Sequence, residues 1–390
     1  MKNSFITTTQ DTHKILCVIG ARPNFMKIAP IMTEIKNSDQ PLEVKLVHTG
    51  QHYDAAMNHQ FFTDLGIPAP EINLEVGSAS HAVQTAEIMR RFEPVLDQEQ
   101  PSAILVVGDV NSTIACALVA AKKEIPVIHV EAGLRSFDRA MPEEINRVLT
   151  DQISDLLFTT ERTARDNLLR EGIADERIHF VGNVMIDTLY HNLEHAIPAP
   201  QTFQQVGAGP RFTGMKGSYA VLTLHRPSNV DHSDTLTSLL ETVVEVSRQI
   251  PIAFPLHPRT RAKIEQFQLE QLLQQADILI LPPMGYLQIL GLMRDARFFL
   301  TDSGGIQEET TALGVPCFTL RHNTERQITV DEGTNTIVGQ DRQKILDAVR
   351  DVFETGGKSG NIPEYWDGRA AQRILAHMRT WLTTKAGKEL

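Results

Sequence analysis

The stretch KILCVIGARPNFMKIAPIMTEIK, residues 14–36, decides the fold class. Its start, Lys14–Ile19, is mostly apolar and has the length of a buried strand, and the residues that follow the turn at 20–23 have the pattern of a helix ending near Lys36. Pro23 suits a helix start, because its fixed φ is already helical and no N–H is needed there. The order of strand, tight turn and helix predicts the first βα unit of a parallel sheet.

The same alternation of short apolar segments and longer amphipathic ones continues along the chain, stops in a Pro/Gly-rich stretch at residues 198–217, and then begins again. A chain of 390 residues is also too long for one ordinary core. We therefore predict an α/β protein with two Rossmann-like domains, residues 1–185 and 186–369, and a cleft between them. The predicted strands are Lys14–Ile19, Glu43–His48, Ala103–Val107, Val127–Val130, Leu156–Thr159 and Ile178–Val181 in the first domain, and Tyr219–Leu224, Ile252–Leu256, Leu279–Leu281, Phe298–Thr301 and Cys317–Leu320 in the second.

Composition excludes several classes of protein. The net charge is −11 with no Lys/Arg-rich block, which disfavours binding to nucleic acid, and no apolar run is long enough to span a membrane. The segment Met1–His13 lacks the apolar core of a signal peptide, so we expect a cytoplasmic protein. Walker, GxGxxG, HExxH and GxSxG motifs are absent. The three cysteines, which share no metal-ligand spacing and are predicted to be buried thiols, are Cys17, Cys116 and Cys317.

Polar and titratable residues follow almost every predicted strand. Ligands of open α/β sheets bind at the carboxyl ends of the strands, so these residues predict a binding cleft. In the first domain they are Arg22, Lys27, His48, Gln51, His52, Asp109, Asn111, Glu131 and Arg135. In the second they are His225, Arg226, His257, Arg259, Asp302, Ser303, Gly304, Gly305, Arg321, Glu325 and Arg326.

Taken singly, several of these residues also have a purely structural interpretation. Asp109 would serve equally well as a cap of the following helix, and Glu131 as the partner of Arg135 in a salt bridge. Glu143 lies in the first turn of a helix, where the dipole favours acidic residues. Small residues at Ser303-Gly304-Gly305 let backbone N–H groups converge on a phosphate, and Glu309 one turn later is placed to accept hydrogen bonds from a ribose.

Eight segments in chain order resemble the non-hydrolysing UDP-N-acetylglucosamine 2-epimerases. They are GARPNFMKIAP (20–30), HTGQHYD (48–54), VVGDVNST (106–113), HVEAGLRS (129–136), MPEEINR (141–147), VGNVMIDTL (181–189), TDSGGIQEE (301–309) and TERQ (324–327). The resemblance implies a glycosyltransferase-B type fold whose final helix, about residues 370–390, packs back on the first domain. It also implies a homodimer, a UDP-sugar substrate, and neither a metal nor a cofactor.

The family's reaction is anti elimination of UDP across C1–C2, followed by re-addition of UDP with protonation of C2 from the opposite face. By resemblance, the catalytic positions are Asp109, Glu131, Glu143 and His225. The substrate-binding positions are Arg22, Lys27, Gln51, His52, Arg135, His257, Ser303, Gly304, Gly305, Glu309 and Arg326. Because like charges raise one another's pKa, the three carboxylates predict at least one protonated acid near neutral pH.

Four other functions stay open at this point. A hydrolysing member of the family would release free N-acetylmannosamine and UDP. A relative would act on a UDP-diacetamido uronic acid. A glycosyltransferase of the same fold would not need the carboxylates of the first domain, and a non-catalytic binder would not need the acid–base residues at all.

Overall fold

The structure, a computed structural model, describes residues 13–38, 42–51, 65–274 and 276–386. The strands described in the first domain form one parallel sheet in the order β3-β2-β1-β4-β5-β6-β7. They are β1 Lys14–Ile19, β2 Glu43–His48, β3 Ile72–Asn73, β4 Ala103–Val107, β5 Val127–Ala132, β6 Leu156–Thr159 and β7 Ile178–Phe180. The helices are α1 Arg22–Lys36, α2 His81–Glu99, α3 Asn111–Lys122, α4 Pro142–Ile153, α5 Arg162–Arg170 and α6 Val184–Asn192.

A second parallel sheet follows, with the described strands in the order β10-β9-β8-β11-β12-β13. Its strands are β8 Ala220–Thr223, β9 Ile252–Pro255, β10 Ile278–Leu281, β11 Phe299–Thr301, β12 Cys317–Thr319 and β13 Asn335–Ile337. The helices of this half are α7 Ala199–Gln205, α8 Pro227–Val230, α9 Ser233–Ser247, α10 Pro258–Gln266, α11 Glu270–Gln274, α12 Tyr286–Asp295, α13 Gly304–Leu313, α14 Gln327–Asp331 and α15 Arg342–Thr355.

The last helix, α16 Ala370–Ala386, packs against α1 and α6. Ile374 and Met378 of α16 are fully buried in the same apolar cluster as Ile31 of α1. The carboxylate of Asp187 in α6 accepts the backbone N–H groups of Ala370 at 3.0 Å and Ala371 at 2.7 Å. Asp187 therefore caps the N-terminus of α16 and fixes it where the two sheets meet.

The predicted fold class is confirmed, because both halves are parallel sheets covered by helices on their faces. Two strands, β3 and β13, were not predicted, since each contains a single apolar residue and so no apolar run. Strand β5 was predicted to end at Val130 but continues to Ala132 through a shift in register. All three cysteines are buried and free, and no helix among the described ranges is long and apolar enough to cross a membrane.

Candidate active site

A cavity of about 420 Å³ lies between the two domains, at the carboxyl ends of their strands. Its wall includes Lys27 of α1, Met185 of α6 and residues that follow β8, β9 and β11 of the second domain. This is the edge at which parallel α/β sheets bind their ligands. The predicted site residues that line the cavity are Lys27, His225, His257, Ser303, Gly305, Glu309 and Arg326.

Glu131 connects the two domains. It occupies the register shift of β5 with a φ of 71°, a conformation that L-residues seldom adopt and that redirects the side chain. Its carboxylate is almost fully buried and forms ion pairs with Lys27 of the first domain and Arg326 of the second. The alternative salt bridge from Glu131 to Arg135 is therefore wrong. Burial opposes ionisation, but the charges of Arg326 and Lys27 outweigh it and lower the pKa of Glu131.

Arg326 has a second carboxylate close by. Its Nε lies 3.3 Å from Oε1 of Glu308 in α13, and the same oxygen accepts a hydrogen bond of 2.8 Å from Asn183. Burial, only partly offset by the charge of Arg326, raises the pKa of Glu308 to about 7. The guanidinium nitrogen Nη1 of Arg326 is buried and has no hydrogen-bond partner among the described residues. A buried donor of this kind, in the wall of a cavity, is suited to binding an anionic ligand.

Asp109 does not cap the helix that follows it. Helix α3 begins after Val110 with no side-chain cap, and the carboxylate of Asp109 instead forms an ion pair of 2.5 Å with Arg147 of α4. Arg147 is held in turn by Glu144 at 2.6 Å. Burial opposes the ionisation of Asp109, but the charges of Arg147 and Lys27 lower its pKa. This carboxylate is therefore ionised at neutral pH.

Glu143 and Glu144 are neighbours in the first turn of α4, but they differ in their surroundings. Glu144 is buried and accepts the backbone N–H groups of Ser136 at 3.0 Å and Phe137 at 2.9 Å, which makes it a structural residue. The side chain of Glu143 is partly exposed, and its Oε1 lies 3.8 Å from Arg226 of the second domain. Glu143 therefore approaches the second domain, while its catalytic role stays a prediction.

His225 follows β8 and is fixed by Asp302, which follows β11. The Nδ1 atom of His225 lies 2.9 Å from Oδ1 of Asp302, and the backbone N–H of His225 donates to the same carboxylate. The ring of His257 lies 5.6 Å away from that of His225, between ring centroids. His257 caps α10, since its Nδ1 accepts the N–H of Arg259. The two histidines thus present imidazole rings to the cavity from adjacent strand ends.

Helix α13 begins at the cavity wall with Ser303 as its N-cap residue. A Cβ atom at Gly304 would lie 2.7 Å from Oε1 of Glu325, so a larger residue there would displace that carboxylate. Further along α13, Glu309 accepts a hydrogen bond of 2.8 Å from the hydroxyl of Tyr286, and burial raises its pKa to about 8. Glu309 lines the cavity, and with this pKa its carboxyl group is mostly protonated at neutral pH.

Two predicted substrate-binding residues of the first domain, Arg135 and Gln51, pair with residues of their own domain and do not line the cavity. Arg135 is buried and pairs with Asp151 at 2.7 Å and with Glu171 at 2.5 Å. Gln51 accepts hydrogen bonds from the backbone N–H and hydroxyl of Ser112, which attaches the loop after β2 to α3. The side chain of Arg22 and all of His52 lie outside the described residues.

The prediction that one of the three first-domain carboxylates is protonated at neutral pH receives no support from Asp109 or Glu131, whose pKa values are lowered. Repulsion between the carboxylates is outweighed by cations, because Lys27 and Arg326 lie against Glu131 and Arg147 lies against Asp109. Among the carboxylates that line the cavity, the raised pKa values are those of Glu308 and Glu309 of the second domain, where burial is the main cause.

Sequence reasoning missed two residues that shape the site, Arg147 and Asp302. A signal for Arg147 was present, because it follows Glu143 by four residues and so lies one helical turn away on the same side of α4. Asp302 was recognised as a strand-end residue, but its pairing with His225 depends on the adjacency of β8 and β11, which are far apart in sequence.

Two parallel-sheet α/β domains with a ligand-sized cavity between them define a two-domain enzyme fold of the glycosyltransferase-B type. The family model described as UDP-N-acetylglucosamine 2-epimerase matches residues 34–379. The chain therefore belongs to the UDP-N-acetylglucosamine 2-epimerase family, which confirms the resemblance in the sequence.

Individual relatives agree with this assignment over nearly the whole chain. A UDP-N-acetylglucosamine 2-epimerase of Methanocaldococcus jannaschii is 41% identical over 365 residues, which are 93% of this chain and 98% of that protein. A UDP-2,3-diacetamido-2,3-dideoxy-D-glucuronate 2-epimerase of Pseudomonas aeruginosa is 39% identical, over 94% of this chain and 99% of that protein. The crystal structure of the M. jannaschii UDP-GlcNAc 2-epimerase in complex with UDP-GlcNAc and UDP is similar with a TM-score of 0.85 at 39% identity, over 94% of this chain and 99% of that one.

Proposed function

We propose that this chain interconverts UDP-N-acetylglucosamine and UDP-N-acetylmannosamine by inverting carbon 2. The observation that carries the proposal is the position of Glu131, a carboxylate held between a cation of each domain, Lys27 and Arg326, beside the cavity. Acid–base chemistry and binding of an anionic leaving group both require such residues, and here they occur in one site.

The proposed reaction has two halves. In the first, a carboxylate removes the proton of C2, the C–H electron pair forms the C1=C2 double bond, and the C1–O bond breaks so that UDP leaves with its bonding pair. In the second, UDP adds back to C1 of the 2-acetamidoglucal while C2 takes a proton on the opposite face. Asp109, Glu131 and Glu143 are the proposed acids and bases. Lys27, Arg326 and His225 stabilise the charge on the leaving diphosphate.

The direct test is incubation of the purified protein with UDP-GlcNAc, followed by NMR of the product mixture. We expect UDP-N-acetylmannosamine at equilibrium with the starting sugar. Accumulation of free N-acetylmannosamine and UDP would instead assign the hydrolysing reaction, and an unchanged substrate would contradict the proposal.

A second substrate is favoured by one comparison, the 39% identity to the P. aeruginosa enzyme that epimerises a diacetamido glucuronate. Parallel assays with UDP-GlcNAc and with UDP-2,3-diacetamido-2,3-dideoxy-D-glucuronate at equal concentrations distinguish the two. We expect the larger kcat/KM for UDP-GlcNAc, and the reverse ratio would move the assignment to the uronic acid. We also propose that the protein is a homodimer, as the family resemblance implies, and that it is cytoplasmic. Light scattering would test the first proposal and cell fractionation the second.

Binding of UDP should raise the melting temperature. A ligand that binds only the folded state at a hundredfold excess over its Kd contributes about 2.7 kcal/mol, which corresponds to roughly 5–10 °C for domains of this size. Thermal melts with UDP, and with uridine as a control that lacks the diphosphate, measure the effect. Equal melting temperatures with and without millimolar UDP would contradict a nucleotide site.

Replacement of Arg326 by Ala should weaken UDP binding by roughly 10–150-fold, the loss expected for about 1.5–3 kcal/mol of charge-assisted hydrogen bonding. Lys27→Met, on the first domain, should reduce turnover more than UDP affinity, because that domain meets the diphosphate when the cleft closes. Isothermal titration measures the UDP affinity of both variants, and the NMR assay measures the turnover of Lys27→Met. Arg350→Ala is a matched control, since this arginine is exposed on α15 and pairs only with Asp347 of its own helix among the described contacts.

A further inference from the structure

The carboxylate of Asp302 is fully buried and surrounded by donors from the segment that follows β8. Its Oδ2 accepts the backbone N–H groups of His225 at 3.0 Å and Arg226 at 2.9 Å, together with the side-chain amide of Asn229 at 3.1 Å. Its Oδ1 lies 2.9 Å from Nδ1 of His225. Burial opposes ionisation, but these hydrogen bonds and the interaction with His225 lower the pKa of Asp302. The group is therefore an ionised carboxylate.

An ionised carboxylate can only accept hydrogen bonds, so the proton between the two side chains belongs to Nδ1 of His225. The other ring nitrogen, Nε2, lies on the opposite side of the imidazole, and His225 lines the cavity with about a third of its side chain exposed. The contact thus determines both the orientation of the ring and its tautomer.

We propose that Asp302 is a positioning residue for the reaction: it keeps Nδ1 of His225 protonated and directs Nε2 at the cavity, where a proton on Nε2 passes to the departing diphosphate and returns to Nε2 when the diphosphate adds back. The role of His225 in this statement rests on the proposed function. The tautomer itself does not, because it follows from the contacts of the two side chains.

The variant Asp302→Asn tests the proposal, because the geometry predicts how the new amide would lie. Three donors converge at the Oδ2 position, so the amide oxygen belongs there and the NH₂ group takes the place of Oδ1. That NH₂ group would donate to Nδ1 of His225 and force the proton onto Nε2. We expect turnover to fall by at least about 10-fold, with UDP affinity nearly unchanged.

The decisive measurement is ¹⁵N NMR of imidazole-labelled protein, in which His225 is identified by the signals lost in His225→Asn. We expect Nδ1–H in the wild type and Nε2–H in Asp302→Asn. Asp187→Asn is the matched control, since it also removes a buried carboxylate that accepts two backbone N–H groups, but no histidine ring is among its described hydrogen-bond partners. It should leave the His225 signals unchanged.

A double-mutant cycle separates positioning from a general structural role. If Asp302 acts through His225, adding Asp302→Asn to His225→Asn should not lower kcat further. Full multiplication of the two losses would overturn the proposal, as would an Nε2–H tautomer in the wild type, a measurement that needs no variant to fold. If the tautomers are as expected but no epimerase activity exists, the proposed function fails and the assignment of the Asp302–His225 pair stands.

Discussion

Replacement of Asp109 by Asn, or of Glu131 or Glu143 by Gln, should lower kcat by about 10²–10⁴-fold in each case, the range expected when a positioned acid or base is removed. The amides keep the shape of the side chains and lose the ability to transfer a proton. The pKa values of Asp109 and Glu131 are lowered by neighbouring cations, so both are in the basic form at neutral pH. Steady-state rates from the NMR assay measure the effect.

Binding of UDP distinguishes a catalytic defect from a folding defect in these variants. Glu131 neutralises Lys27 and Arg326, so Glu131→Gln should leave both cations available and UDP should bind at least as tightly as to the wild type. Glu93→Gln is the control, since Glu93 is an exposed carboxylate 3.8 Å from Lys123 and remote from the cavity. If all three variants kept wild-type turnover, the carboxylates would have no role in the reaction.

The order of strands and helices was predictable because each buried strand is a separate apolar run bounded by turn residues. Lys14–Ile19, Glu43–His48 and Ala103–Val107 have the predicted bounds. The end of β5 was not predictable, because the apolar pattern stops at Val130 while the backbone strand continues through Glu131 at positive φ. The position of such a bulge depends on the contacts of its side chain, and these are with residues from distant parts of the chain.

The identities of many cavity residues were also predictable, but their pairings were not. A position after a strand places a side chain at the right edge of its own sheet. It does not say which side chain of the other domain will meet it, and Glu131 and Arg326 are 195 residues apart. Arg135 lies only four residues from Glu131 in the sequence, yet it pairs with Asp151 and Glu171. The protonation states depend on these pairings and so required the structure.

Product formed in D₂O should carry deuterium at C2 in every molecule that has been epimerised. In the proposed mechanism the C2 proton is transferred to a carboxylate, and the proton returned to the opposite face comes from a different acid. Side-chain carboxyl groups exchange with solvent much faster than an enzyme turns over, so the returned atom is a deuteron. The ¹H NMR signal of C2–H in UDP-N-acetylmannosamine should therefore be missing from the earliest product onward.

Two controls make the result decisive. UDP-GlcNAc incubated in D₂O with Glu131→Gln should retain its C2 proton over the time in which the wild type exchanges it completely. The other carboxylate variants should show whether elimination and re-addition use different groups, because a variant slowed mainly in re-addition would release UDP and the glycal. Epimerised product that keeps its original C2 proton would rule out the elimination mechanism whatever the variants showed, since an inversion that removes the proton to a solvent-exchanging carboxylate cannot return the same atom.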